Sequence, residues 1–326
     1  MRSAARALLL VGLLLAPVAA LADSIAVLLS GQGGGYAEVV EAIQTEVRKS
    51  PGHRVVTATV GTAPSDEFAQ AAPTLLVAVG TRAAEAALRA ADPRVPVLCV
   101  LLPRSSYETL LAATRSAPGR PGEARADETR ASGDPRKVSA VFLDQPHARQ
   151  IELIRQALPG LARVGLVAGP DSAREIERVQ AAAERRGLKV VAERVSRDTE
   201  LFQALQRVMT DSDVFLALPD PRVVTSESAQ NLLITSYRLR SPVIGYSAAY
   251  VRAGALAAVY STPAQIGTQA GEIARAVLRG APLPAPQAPR AFAVAVNRQV
   301  ARSLGIEIDD DTALRERIAR QERDER

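Results

Sequence analysis

Short, continuously apolar runs recur along this chain, each bounded by Gly or Pro and followed by a segment with helical spacing. Ile25-Ala26-Val27-Leu28-Leu29 is the first, and Leu75 to Val79, Pro96 to Leu102, Val138 to Leu143, Val164 to Ala168 and Val214 to Leu218 repeat it. Runs this short and apolar on both sides are strands covered on both faces. The intervening segments place apolar residues on one side of a helix, as Val39, Val40, Ile43 and Val47 do. Strands alternating with helices of this length specify βαβ units, so the fold class is α/β with parallel, doubly wound, Rossmann-like sheets. The pattern breaks once, at Thr114 to Arg136, where Pro and Gly lie among charged residues without apolar periodicity; this segment is expected to be a long loop. The two halves echo each other: Leu75 to Val79 and Val214 to Leu218 are each followed by a turn, a helix and a strand opened by Pro (Pro96, Pro242). Two lobes of one build joined by a hinge are expected.

At the start of the chain, Arg2 and Arg6 precede the apolar run Ala7 to Val18, and Ala20-Leu21-Ala22 offers small residues before Asp23. That is the grammar of a cleavable signal peptide over residues 1–22. The run is short of the roughly 20 apolar residues a membrane span needs. The remainder is expected to be soluble and periplasmic. Its lone cysteine, Cys99, lies inside an apolar run and reads as a strand residue rather than a nucleophile. A formal charge of +5 with basic residues scattered along helices and 3% aromatics argues against nucleic acid as a partner.

Catalytic signatures are sparse. The two histidines, His53 and His147, sit in separate turns, and no Gly-x-Ser-x-Gly elbow is present. Gly31-Gln32-Gly33-Gly34-Gly35-Tyr36 follows a strand and opens a helix, but Tyr36 stands where a dinucleotide fingerprint needs glycine, and no acid ends the second strand. The acidic cluster Asp309 to Asp311 reads as a solvated helix start rather than a metal site. No cofactor, metal or catalytic residue is therefore expected.

In open α/β sheets, ligands bind beyond the carboxyl ends of the strands. Those positions are Ser30 to Tyr36 after the first strand, with Gly33, Gly34 and Tyr36 as ligand candidates; Gly80, Thr81 and Arg82; Asp144; Gly169 to Ser172, with Asp171 and Ser172 as candidates; Pro219 and Asp220; and Tyr246, Ser247 and Tyr250. The glycine-rich turn leaves helix N–H groups for an anion. Asp220 is the expected counter-ion of a ligand ammonium group, and Tyr246 and Tyr250 an apolar wall. Thr81, Ser172 and Ser247 suit helix capping as well as ligand contact.

Several of these segments also resemble a known family. Ser139-Ala140-Val141-Phe142-Leu143-Asp144, Gln150 to Ile154, Leu158-Pro159, Val164 to Val167, Leu218-Pro219-Asp220 and Pro242 to Ser247 are similar to the ABC-transporter substrate-binding proteins that include tryptophan and tyrosine binders. Gly254-Ala255-Leu256 and Asn297 with Leu304-Gly305 extend the likeness, which covers residues 138 to 308 and fades over 23 to 113. Where members carry Thr-Pro-Ala-Ala, this chain has Thr81-Arg82-Ala83-Ala84. The resemblance implies a type I periplasmic binding protein fold whose chain crosses three times between lobes. Residues 23–137 with about 262–283 would form the first lobe, and 138–261 with about 284–308 the second; 309–326 would be a charged tail. It implies a small-molecule ligand, an amino acid or related compound, a monomeric protein, and an inner-membrane ABC permease or, alternatively, a membrane sensor as partner.

Overall fold

The computed structural model describes residues 24–116, 137–170, 172–220 and 226–325. The expected signal peptide and most of the expected long loop lie outside the described residues.

The first sheet holds β1 (Ser24–Leu29), β2 (Arg54–Thr59), β3 (Pro73–Val79), β4 (Val97–Leu102) and β5 (Val138–Phe142), all parallel, in the order β2-β1-β3-β4-β5. The second holds β6 (Arg163–Ala168), β7 (Lys189–Arg194), β8 (Val214–Leu216), β9 (Val243–Gly245), β10 (Ala257–Tyr260) and β11 (Ala293–Val296), in the order β11-β10-β9-β8-β6-β7. Only β11 runs antiparallel. The helices are α1 (Gly34–Val47), α2 (Asp66–Ala69), α3 (Thr81–Ala90), α4 (Arg104–Ser116), α5 (His147–Ala157), α6 (Glu175–Glu184), α7 (Asp198–Asp211), α8 (Ser226–Arg238), α9 (Ala248–Ala253), α10 (Pro263–Leu278), α11 (Arg298–Leu304) and α12 (Asp311–Asp324). Each sheet is covered on both faces, which is why its inner strands read as largely apolar runs, while the edge strands β2 and β7 carry exposed polar residues. Cys99 is fully buried in β4, and burial pushes its thiol up to about 12, so it stays protonated at neutral pH. No helix among the described residues is long and apolar enough to cross a membrane.

The lobe boundaries differ from the sequence expectation in two places. β5 pairs with β4, so the first sheet runs through Phe142 rather than ending before Val138. The break in composition falls inside the first lobe, between α4 and β5, and not between lobes. The last crossing also comes late: Gln287 exchanges backbone hydrogen bonds with Ala140 and Phe142 of β5, and the chain rejoins the second lobe only at β11.

The return of α10 to the first lobe matches the expectation. Its Ile266, Ala270, Ala274 and Val277 join the core formed by Ile25, Val39, Ile43 and Val77. Gly267 and Gly271 let α10 lie against α1: a Cβ on Gly267 would stand 2.7 Å from the carbonyl oxygen of Val39, and one on Gly271 2.6 Å from the Cβ of Glu46.

The C-terminal segment is more than a charged tail. Asp310 caps α12 by accepting from the Ala313 N–H at 2.8 Å, and Leu314 and Ile318 are fully buried in the second-lobe core beside α5 and β11. Two apolar residues four apart make a complete contact stripe on a short helix, but among charged neighbours they leave the average strongly polar. Leu314→Ala should cost about 2–5 kcal/mol. Chemical denaturation would read this, and an unchanged midpoint would mean that α12 is not docked in solution.

Candidate functional site

A doubly wound sheet has one point where the strand order reverses and the loops on either side diverge, opening a crevice. In the first sheet this point lies between β1 and β3, and in the second between β6 and β8. Four of the six clusters expected from sequence fall on the two switch points, and a fifth, Tyr246 to Tyr250, follows β9 beside them.

At the first switch point, Ser30 ends β1 and donates its N–H to Val79 O at 3.0 Å. Its hydroxyl accepts from the Ala83 N–H at 2.9 Å, capping α3 from across the gap. Gly80 is the N-cap of α3, at φ 86°; a Cβ there would stand 2.6 Å from Ser30 Oγ and 3.3 Å from the Tyr36 ring. Only glycine tolerates both the dihedral and the approach. Tyr36, one turn into α1, lies against Gly31 and Gly80. Gly33 caps α1 with no side chain, at φ 143°. The first turns of α1 and α3 thus lie side by side, with Gly34, Thr81 and Arg82 exposed around them. Thr81 is the first residue of its helix and does not cap it; Ser30, at the head of the strand-end segment 30–36, does.

The second switch point is closed on itself. Asp220 is 2% exposed, and its Oδ2 accepts from the Gly169 N–H at 3.1 Å and the Ser172 hydroxyl at 2.5 Å. A Cβ on Gly169 would stand 2.8 Å from that same oxygen. Asp220 is therefore committed to tying the loop after β6 to the loop after β8, and its expected role as an ammonium counter-ion is not what this geometry favours. Ser172 is buried in the same tie. Asp171 lies outside the described residues.

The free acid is at the hinge. Asp144 follows β5 and lines a small pocket with Leu143, His147, Gln150, Pro219 and Tyr246. The pocket's volume of about 20 Å³ is room for about one water. Asp144 Oδ2 accepts from the Arg104 N–H at 2.6 Å. Burial raises the Asp144 carboxyl above its usual value and Glu175 adds to the rise, against the pull of the Arg104 N–H and His147. The Arg104 guanidinium sits 4.4 Å over the Phe142 ring. Tyr246 is half-buried at the pocket, its ring 5.2 Å from that of Tyr250. Tyr250 itself is buried in the second-lobe core, with its hydroxyl unpartnered. Burial pushes both phenols up. Ser247 caps α9, accepting from the Tyr250 N–H at 3.2 Å.

A polar chain leads from this pocket to the opposite lobe. His147 Nδ1 lies 2.7 Å from Gln150 Oε1, and Nε2 2.6 Å from Glu175 Oε2. Burial pushes Glu175 up, but the His147 hydrogen bond and the charges of His147 and Arg178 bring it below the usual carboxylate range. Arg178 pairs with Glu175 and, at 3.0 Å, with Glu108 on α4 of the first lobe. Among the described residues no group of three His, Cys, Asp or Glu is placed to hold a metal.

The hinge is knitted by side chains that sequence reading passed over. Gln145 at the first crossing donates to Ser261 at the second (2.9 Å), and Ser261 donates to the Ala291 carbonyl at the third (2.6 Å). Arg149 donates to Gln145 Oε1 (2.7 Å) and Pro289 O (3.2 Å), holds Glu322 of α12 through two bonds (2.6 and 3.0 Å), and stacks 4.2 Å over Phe292. Buried arginine and glutamine at a strand end were the available signal.

Two parallel-sheet lobes joined by three crossings, with loops of both converging on a hinge pocket, define a type I periplasmic binding protein fold. A family model for ABC transporter substrate binding proteins matches residues 132–317, and the chain belongs to that family. No curated protein matches the sequence. Among solved structures, the ligand-free, open form of a substrate binding protein with adhesive properties from Clostridium difficile is 18% identical. The match covers 88% of this chain and 96% of that one, with a TM-score of 0.65. A conserved domain protein from Vibrio cholerae O1 biovar eltor str. n16961 is 20% identical, covering 90% and 98%, at 0.59. An ABC domain in complex with L-Trp from Streptococcus pneumonia is 18% identical, covering 90% and 98%, at 0.58.

Proposed function

We propose that this chain is the exported, periplasmic binding component of an ABC-type importer. Its two lobes close over a small amine-bearing solute, an amino acid or related compound, and present it to an inner-membrane permease. The observation that carries the ligand class is Asp144, a half-buried residue whose carboxylate faces the hinge pocket with one backbone donor and an aromatic neighbour, Tyr246. A buried acid held above its usual value gains most from a cation brought to it. The paired first turns of α1 and α3 offer free N–H groups for the solute's anionic end. The L-Trp complex of the Streptococcus relative is consistent with this class. The basic, apolar and small-residue segments of 1–22 support export.

A thermal-shift screen against amino acids, peptides, nucleosides and sugars tests the reading. A ligand at 100 times its Kd adds about 2.7 kcal/mol. The expected hit is an amine-bearing compound that also compacts the protein in solution scattering. A hit confined to uncharged sugars would overturn the amine assignment, and a flat screen of folded protein the solute-binding role.

A further inference from the structure

Among the described residues, four large apolar side chains are strongly exposed, and all fall on or beside α7 and α8: Phe202, Ile234, Tyr237 and Leu239. Ile234 and Tyr237 line an open groove of about 620 Å³ between α8, the residues leading into β9, the end of α9, and α11. The groove sits at the amino-terminal ends of β9 and β10, the opposite end of the sheet from the ligand cleft. Its lining includes Leu233, Pro242, Val300 and Leu304 and no acidic residue.

Two further features mark it as more than a packing defect. Ser241, in the lining, is 5% exposed, and its hydroxyl has no hydrogen-bond partner. A buried hydroxyl without a partner is rare unless something else supplies one. Arg238 also lines the groove, and Arg240, Arg252 and Arg302 lie within two residues of its lining along the chain; all four are exposed. None of them forms an ion pair or side-chain hydrogen bond with a described residue, although most of the other described arginines do. The groove therefore combines an apolar floor, an unmet polar group and excess positive charge.

A second copy of the chain is a poor occupant. A two-fold contact through this face would set the arginines of one copy against those of the other. The volume lies within the range of small-molecule sites, roughly 300–1,000 Å³. We propose that this groove is a second binding site, for a small amphiphile with an apolar body and one anionic head. The body covers Ile234, Tyr237 and Leu304, the head pairs with Arg238, and Ser241 hydrogen-bonds to the head. This inference does not depend on what the cleft binds.

The test titrates the mature protein with dodecanoate, 1-dodecanol and dodecylammonium by calorimetry, each below its micelle concentration. One dodecanoate per chain is expected, bound about ten-fold tighter than the alcohol, with the cation weakest. Arg238→Gln should weaken dodecanoate about ten-fold, and Ser241→Ala by several-fold. Ile234→Glu should abolish binding while circular dichroism and the melting curve remain those of a folded protein. Equal binding of the three probes, no binding, or binding that survives Ile234→Glu overturns the proposal. So does sedimentation showing a dimer that Ile234→Glu dissolves, since the groove would then be a self-interface.

Discussion

Replacing Asp144 with asparagine is expected to abolish solute capture while leaving the unliganded protein as stable as before, or slightly more so. Asparagine keeps the acceptor that receives the Arg104 N–H. What it loses is the charge, and removing one partner of a buried ion pair costs about 2–5 kcal/mol, roughly 30-fold or more in Kd. The effect on stability has the opposite sign. Burial raises the folded-state value above the unfolded one, so the native state holds its proton more tightly. Stability is then full below the ordinary aspartate value of about 4 and declines as pH rises through the raised folded value. The variant should lack that decline. Capture of an amine should tighten over the same window, because it needs the ionised form. Paired melting and calorimetric series from pH 4 to 8 would separate the two slopes. A variant that binds as well as the parent would remove Asp144 from the site.

The largest stability effect is expected at the interface of α1 and α10. Gly267→Val sets a branched side chain where even a Cβ stands 2.7 Å from a backbone oxygen and 2.9 Å from the Val39 Cα. Neither helix has a flexible atom to yield there, so they must separate along a contact that closes the first-lobe core. Overpacking of this kind costs about 3 kcal/mol, and more where backbone resists. At about 2–4 °C per kcal/mol, the melting temperature should fall by roughly 6–12 °C. A fall of under 2 °C would mean that the two helices do not pack this closely in solution.

The inner strands were legible in the sequence because burial on both faces leaves them few polar residues, whereas the edge strands β2 and β7 keep several. Which sheet a strand joins was not: β5 reads as an ordinary buried strand, and its pairing with β4 depends on three-dimensional neighbours that hydrophobicity does not encode. α4 went unread because it starts with Arg104-Ser105-Ser106 directly after Pro103 and merges into a polar stretch. The strand-end positions read from sequence fall on the loops at the switch points, since the switch-point rule follows from strand order. They did not reveal side-chain allegiance. Asp220 and Asp144 look alike on paper, each following an apolar run. Only the neighbouring Ser172 and Gly169 show that the first is already satisfied. The capping role of Ser30 was not legible because its partner is 53 residues away.

Arg149 has a mechanical consequence. One guanidinium joins the first crossing through Gln145, the third through Pro289, and α12 through Glu322, while Gln145 carries the link on to the second crossing through Ser261. Three parallel straps pinned together at one point resist twisting and sliding but still bend. The lobes are thus left a single axis of rotation, passing close to Asp144, the acid proposed to receive the solute. A small rotation there swings the distal rims of the cleft through a long arc while hardly displacing Asp144 itself, so the carboxylate can hold its charge contact throughout the stroke.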